Sequence, residues 1–147
     1  MIWVIPVEKG RHNQMDILVK HDKDMRFVAQ CGNYTVVTGS AEGEDEQTNG
    51  MWPGQLFVAA LGACIAGYVA HFCQRHDISY EGMSVELDYE SSDSPSRVLE
   101  VCARLRLPAP VPDNYQQALL RVAEQCYITQ SIEHRMQVNV SLAGGTE

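Results

Sequence analysis

Positive charge is scarce in this chain. Lys and Arg number 11 against 19 Asp and Glu, giving a net charge of −8 over 147 residues, and the basic residues are scattered rather than clustered. Nucleic acid and anionic membrane surfaces are held by basic faces, so this balance argues against both as partners and leaves room for a small neutral or apolar ligand. Paired cysteines are lacking too. Cys31, Cys64, Cys73, Cys102 and Cys126 are odd in number and widely spaced, unlike the framework of a secreted disulfide-rich domain, so a reducing cytoplasm is the expected setting. No close Cys and His spacing marks a zinc site. The opening Met1 to Val7 is too short for a secretory leader, and its basic residues follow it rather than precede it.

Charge is missing altogether between Leu56 and Ala70. Here the apolar residues go round every side of the expected helix, residues 53–76, so that helix is expected to be buried. Pro53 suits its first turn, where a missing N–H costs nothing. Ala59, Ala60, Gly62, Ala63, Ala66, Gly67 and Ala70 are small enough to let neighbouring backbones come close. The run is long enough to raise the question of a membrane span. Its Ala and Gly content, and the soluble β alternation of the remaining chain, favour a core helix instead.

A chain of this length makes one domain, residues 1–147, and the rest reads around that helix. Residues 1–38 are expected to be N-terminal strands: Ile2 to Val7, Met15-Ile17-Val19, Phe27-Ala29-Cys31, and Tyr34 to Thr38 after a Gly32-Asn33 turn. Their apolar face is thin, so they are expected to lean on something else, such as a second subunit. Residues 39–50 form an acidic, glycine-rich loop. Residues 83–107 alternate as a hairpin turning at Ser91 to Ser96, with Cys102 on the polar face beside the arginines. Residues 113–126 place Tyr115, Ala118, Leu119, Val122, Ala123 and Cys126 on one face of a second, amphipathic helix with Asp113 as N-cap. Residues 136–142 alternate once more as a last strand. Strands and helices are segregated, which defines an α+β class with antiparallel sheet.

Two thiols therefore point inward from different helices. Cys64 and Cys73 lie nine residues apart on one helix, on opposite faces at about 100° per residue. His71 shares the face of Cys64 but sits about 10.5 Å along the axis, too far to act as its base. Cys126 is the remaining partner. The two sulfurs either face one cavity and form a reversible disulfide, or serve as small buried hydrophobes.

Pro53-Gly54-Gln55-Leu56-Phe57-Val58-Ala59-Ala60-Leu61-Gly62-Ala63-Cys64 resembles the first-cysteine helix of the OsmC/Ohr family, P-E-x-L followed by an apolar run and A-x-x-A-C. Ala123-Glu124-Gln125-Cys126-Tyr127-Ile128-Thr129-Gln130-Ser131 is similar to the family's second-cysteine segment, A-E-x-x-C-P-V-x-x-S, slightly compressed. Ile78 to Met83 and the hairpin extend the likeness, which runs from about Asn49 to Leu142. It implies an OsmC-like fold, with antiparallel sheets around a long buried central helix, in an intertwined homodimer with sites at the subunit interface. It also implies a thiol peroxidase acting on organic hydroperoxides without a cofactor. Cys64 would attack the peroxide and become a sulfenic acid, and Cys126 would condense with it to a disulfide that a dithiol such as reduced lipoamide reopens. The apolar Leu56, Phe57 and Leu61 favour an organic peroxide.

A buried thiol has a raised pKa and is inert, and Cys64 lies about three turns inside its helix, beyond the reach of the N-terminal dipole. Some cation must hold the thiolate. The family uses an arginine from an N-terminal strand, oriented by a glutamate one residue after the helix proline. Arg26 is the best positional match, and Arg11 the second. Gly54 stands where that glutamate would be, leaving Glu44 or Glu46 of the acidic loop as substitutes, and Tyr127 stands in place of the proline. With the glutamate gone, the alternative is a noncatalytic OsmC-fold protein that binds a small molecule. A thioester hydrolase would need a carboxylate near the helix start, where there is none.

Overall fold

The computed structural model describes residues 17–39 and 50–143. The expected strand at Ile2 to Val7, Met15, Arg11, and the acidic loop with Glu44 and Glu46 lie outside the described residues. Three strands come first: β1 (Leu18–Lys23), β2 (Arg26–Cys31) and β3 (Tyr34–Thr38), paired antiparallel in that order. Val19 faces Ala29, and Ala29 faces Val36. Asp24 at φ 47° and Gly32 at φ 57° make the two tight turns. Gly32 takes this left-handed conformation without a Cβ penalty.

Helix α1 (Pro53–Arg75) follows, with Pro53 in its first turn. The Gln55 side chain reaches back to accept the Trp52 N–H at 3.1 Å, so the residue beside the missing carboxylate caps the helix start. At the other end Ile78 N–H bonds the Cys73 carbonyl at 2.9 Å and Asp77 turns left-handed. Strands β4 (Ser84–Asp93) and β5 (Ser96–Arg106) form the hairpin, its turn tighter than expected and centred on Ser94-Pro95. Its wet face carries Arg104 against Asp88 and Arg106 against Glu86. All four side chains are exposed, so these pairs set register more than stability.

Helix α2 (Asp113–Glu124) has Pro112 rather than Asp113 as N-cap, with Asp113 opening the first turn. It buries Leu119 and Ala123 as its periodicity requires. It ends before Cys126. A short helix absent from the sequence reading, α3 (Tyr127–Glu133), begins there with Cys126 as its N-cap in extended conformation.

The core is Leu61, Ile65, Val69 and Cys73 of α1 with Ile78, Leu119, Ala123 and Cys126. Val85, Val101 and Leu105 of the hairpin close it from the sheet side. Gly62 is where α1 meets β4, since a Cβ there would collide with Leu87 Cδ1.

Two expectations change. Helix α1 is buried on one stripe only, Val58, Leu61, Gly62, Ile65, Val69 and Cys73, whereas Phe57, Ala60, Ala63 and Gly67 face outward. By length and composition it could cross a membrane, but β4, α2 and α3 cover one side of it. Residues 136–142 form no strand in this chain: Val138, Val140 and Leu142 are 76%, 91% and 97% exposed. Alternation prepares a strand, yet a strand exists only beside a neighbour, and no described strand of this chain runs beside it. The N-terminal sheet joins the rest at a Thr38–Met51 bridge and packs on none of the helices extensively.

Replacing Gly62 by valine should destabilise the fold by about 1–3 kcal/mol, the usual cost of overpacking. Adding Leu87→Ala should recover part of that loss. Urea unfolding of the three variants checks this, and equal losses in the single and double variants would contradict the close approach.

Candidate active site

The α2–α3 junction and the middle of α1 bring two sulfurs together. Cys126 is completely buried, and its Sγ lies 3.2 Å from Thr129 Oγ1. Cys64, half-buried at the edge of the α1 stripe, lies close to Cys126. The backbone N–H groups of Ile128 and Tyr127, in the first turn of α3, lie near enough to the Cys64 sulfur to favour its ionised form. Tyr127 occupies the position where the resemblance has proline. A proline would have no N–H to give.

Opposing forces act on the Cys64 thiol. Burial pushes its pKa up most, and the neighbouring Cys126 adds to this, while the Ile128 and Tyr127 amides pull it down. Burial wins, and the thiol ends above the ordinary 9.0. At neutral pH this single-chain site therefore favours thiol over thiolate. Cys73 marks the contrast. Burial alone raises it, as befits a thiol used as a small core hydrophobe.

Tyr68, one turn after Cys64, completes the cluster. Burial raises its hydroxyl pKa first, and the two sulfurs raise it further, while the nearby Tyr127 N–H acts the other way. Sequence reading passed over Tyr68, Thr129 and the two amides. The signal for Tyr68 was present, since it is the only hydroxyl between Leu56 and Ala70 and sits at i+4 from Cys64, on the same face. Backbone amides carry no such signal.

The remaining predicted residues lie elsewhere. Arg26 is on β2, where its Nε pairs with Asp22 Oδ2 at 2.9 Å, on the sheet that does not pack extensively against α1. The first turn of α1 holds no acidic side chain, and Gly54 lies beside the Trp52 ring. Cys31 is half-buried and Cys102 exposed. Among the described residues no group of His, Cys, Asp or Glu gathers to hold a metal.

A groove of about 960 Å³ opens between α1, β5, α2 and α3. Phe57, Leu61 and Ile65 of α1 form one wall, and Leu120 and Ala123 of α2 another. Thr129, the hydrogen-bond partner of Cys126, lines it too. Glu100, Arg104, Arg106, Glu124 and Glu133 add charge to the lining, and neither Cys64 nor Cys126 is part of it, so the groove touches the thiol site through Thr129.

A long helix half-wrapped by a hairpin and two shorter helices, with two thiols meeting across it, defines an α+β class of thiol-bearing domain. The family of OsmC-like proteins matches residues 43–141, and the chain belongs to it. Solved structures share the fold. An OsmC-like protein from Mycoplasma pneumoniae is similar with a TM-score of 0.70 at 13% identity, over 85% of this chain and 91% of its own. The organic hydroperoxide resistance protein OhrB of Bacillus subtilis is similar with a TM-score of 0.57 at 15% identity, over 82% of this chain and 90% of its own. One from Legionella pneumophila, an organic hydroperoxide resistance protein OsmC, gives 0.55 at 19% identity, over 80% and 88%. No curated protein sequence matches the chain significantly.

The folded chain holds the Cys73 and Cys64 protons more tightly than the unfolded chain does. The associated stability is therefore fully present below the ordinary thiol value of 9.0 and lost as pH rises from there through the raised folded-state values. Urea midpoints measured at pH 7.5 and 10 should fall less for Cys73→Ala than for the parent. An identical fall in both would contradict a buried, proton-holding Cys73.

Proposed function

We propose that the chain is a thiol-dependent peroxidase that reduces organic hydroperoxides through Cys64 and Cys126. The observation carrying this reading is the closeness of the two sulfurs, with a groove partly walled by Phe57, Leu61, Ile65 and Leu120 reaching Thr129 beside Cys126. The Cys64 thiolate attacks the peroxide oxygen, the O–O bond breaks, and the alkoxide leaves to be protonated to an alcohol. The sulfenic acid on Cys64 then condenses with the Cys126 thiol, forming the S–S bond and releasing water. An external dithiol of the lipoamide kind takes up the disulfide by exchange and restores both thiols. The apolar walls favour peroxides with an organic tail, and the family's hydroperoxide resistance members fit that preference. The setting proposed is the cytoplasm, with neither a membrane nor nucleic acid as partner.

The working form is an intertwined homodimer. Three apolar surfaces support this: the outward side of α1, the tail residues Val138, Val140 and Leu142, and Ile17, Val19 and Val36 around the N-terminal sheet. Exposed apolar surface of this kind marks interaction sites. A second copy also answers the electrostatic need. Among the described residues no cation acts on the Cys64 thiol within one chain, and Arg26 stands on the sheet that does not pack extensively against α1, so Arg26 serves the Cys64 of the other subunit.

One equivalent of cumene hydroperoxide should remove two thiols per chain, and Cys64→Ser should abolish the loss. Cys126→Ser should leave a sulfenic acid on Cys64 that dimedone traps. Thiols surviving excess peroxide in the parent would overturn the peroxidase reading in favour of a noncatalytic binding protein. Arg26→Ala and Cys64→Ser, each nearly inactive alone, should regain roughly a quarter of parent activity when unfolded and refolded together, because a mixed dimer keeps one intact site. No recovery on mixing would remove Arg26 from the partner's site.

A further inference from the structure

The arginine needs a second copy, but one polar side chain accompanies Cys64 within its own helix. Tyr68 is four residues on, so its ring lies over the same face of α1 one turn away. Both side chains are half-buried, and both pack against the core cluster that contains Cys126. In a run otherwise free of hydroxyls and charge, a half-buried phenol has few polar neighbours to turn to. The Tyr127 backbone N–H lies near its oxygen, and the sulfurs of Cys64 and Cys126 are near enough to act on it. The hydroxyl hydrogen is left to be placed, and those two sulfurs are the acceptors on its face of the helix.

We propose that Tyr68 is a positioning residue for the reactive sulfur, its neutral hydroxyl donating a hydrogen bond to the Cys64 thiolate. The inference rests on the reading of Cys64 as the attacking thiol and adds a neutral donor to it. The titratable groups facing Cys64 among the described residues are Cys126, from the α2–α3 junction, and Tyr68 itself. A phenol that stays protonated suits the task. It stabilises the anion without becoming one, and it holds the sulfur on the side of α1 that faces Cys126 and the Tyr127 amide.

Tyr68→Phe keeps the ring and removes only the donor. In the full-length protein, with thiols reduced, Cys64 alkylation by iodoacetamide is followed from pH 6 to 10 by peptide mass spectrometry. Cys73 and Cys102 in the same digest act as internal controls. The expected result is a Cys64 profile displaced to higher pH and a rate at pH 7 about tenfold lower, the scale of one hydrogen bond to an ionised group. Cys73 and Cys102 should be unmoved. Should Tyr68→Phe fold poorly, 3-fluorotyrosine placed at 68 keeps the volume and strengthens the donor, and should displace the profile to lower pH. A Cys64 profile unmoved in the folded variant, or by fluorination, overturns the inference and leaves Tyr68 as packing. Alkylation uses no peroxide, so the outcomes separate. A shifted profile in a protein whose thiols ignore peroxide sinks the peroxidase and keeps Tyr68, whereas peroxide consumption with an unmoved profile does the reverse.

Discussion

Desolvation of one sulfur is the constraint to which the site must answer. Cys64 sits midway along an apolar helix, and the burial that shapes its pocket also favours its neutral form. A thiol that reacts must be ionised some of the time, so whatever surrounds Cys64 has to offset part of that burial. Among the described residues of one chain, the groups that favour its ionised form are neutral, the Ile128 and Tyr127 amides, and they fall short. The short helix α3 exists in the right place because the chain ends α2 at Gln125, extends through Cys126, and turns again at once. One local break thus delivers both the second thiol and two N–H groups.

The same shortfall explains why a single chain looks unfinished. Helix α1 has a covered stripe and a bare one, and the bare stripe is made of Ala60, Ala63 and Gly67 with Phe57 at its start. A side chain added at Gly67 would meet nothing, whereas one at Gly62 would strike Leu87. The small residues therefore have two explanations, close packing within the chain at Gly62 and unoccupied space at Gly67. On the proposed assembly, one partner surface supplies both the missing cover and the missing cation.

Much of this was legible in advance, and the misses share a cause. Period-2 and period-3.6 patterns placed β2, β3, the hairpin, α1 and α2 within a residue or two, because each buries one face against the same chain. The expectation that Cys64 nears Cys126 rested on two inward helix faces and a family likeness, whereas Cys64 lies at the edge of the buried stripe and Cys126 beyond the end of α2. Three misses concern what patterns cannot carry. Residues 136–142 have the alternation of a strand but no neighbour in this chain. Helix α1 is apolar all round, which says that every side is to be covered, without saying by which molecule. Helix α3 has no apolar stripe to announce it, since Tyr127 and Ile132 are exposed and none of its residues is fully buried.

The two departures from the family pattern bear on one electrostatic problem from opposite sides. Gly54 removes the carboxylate that would orient a guanidinium, and the glutamine beside it has become a helix cap. Tyr127, in place of proline, adds an N–H that reaches both the Cys64 sulfur and the Tyr68 oxygen. On the proposed mechanism the first change loosens the cationic hold on the thiolate, while the second adds neutral hydrogen bonding to it. Neutral donors fixed in a helix turn need no partner carboxylate to aim them, and short hydrogen bonds in a half-buried site are screened by salt far less than exposed charges are. The balance of the site thus moves from charge toward hydrogen bonding, in a chain where positive charge is the scarcest resource.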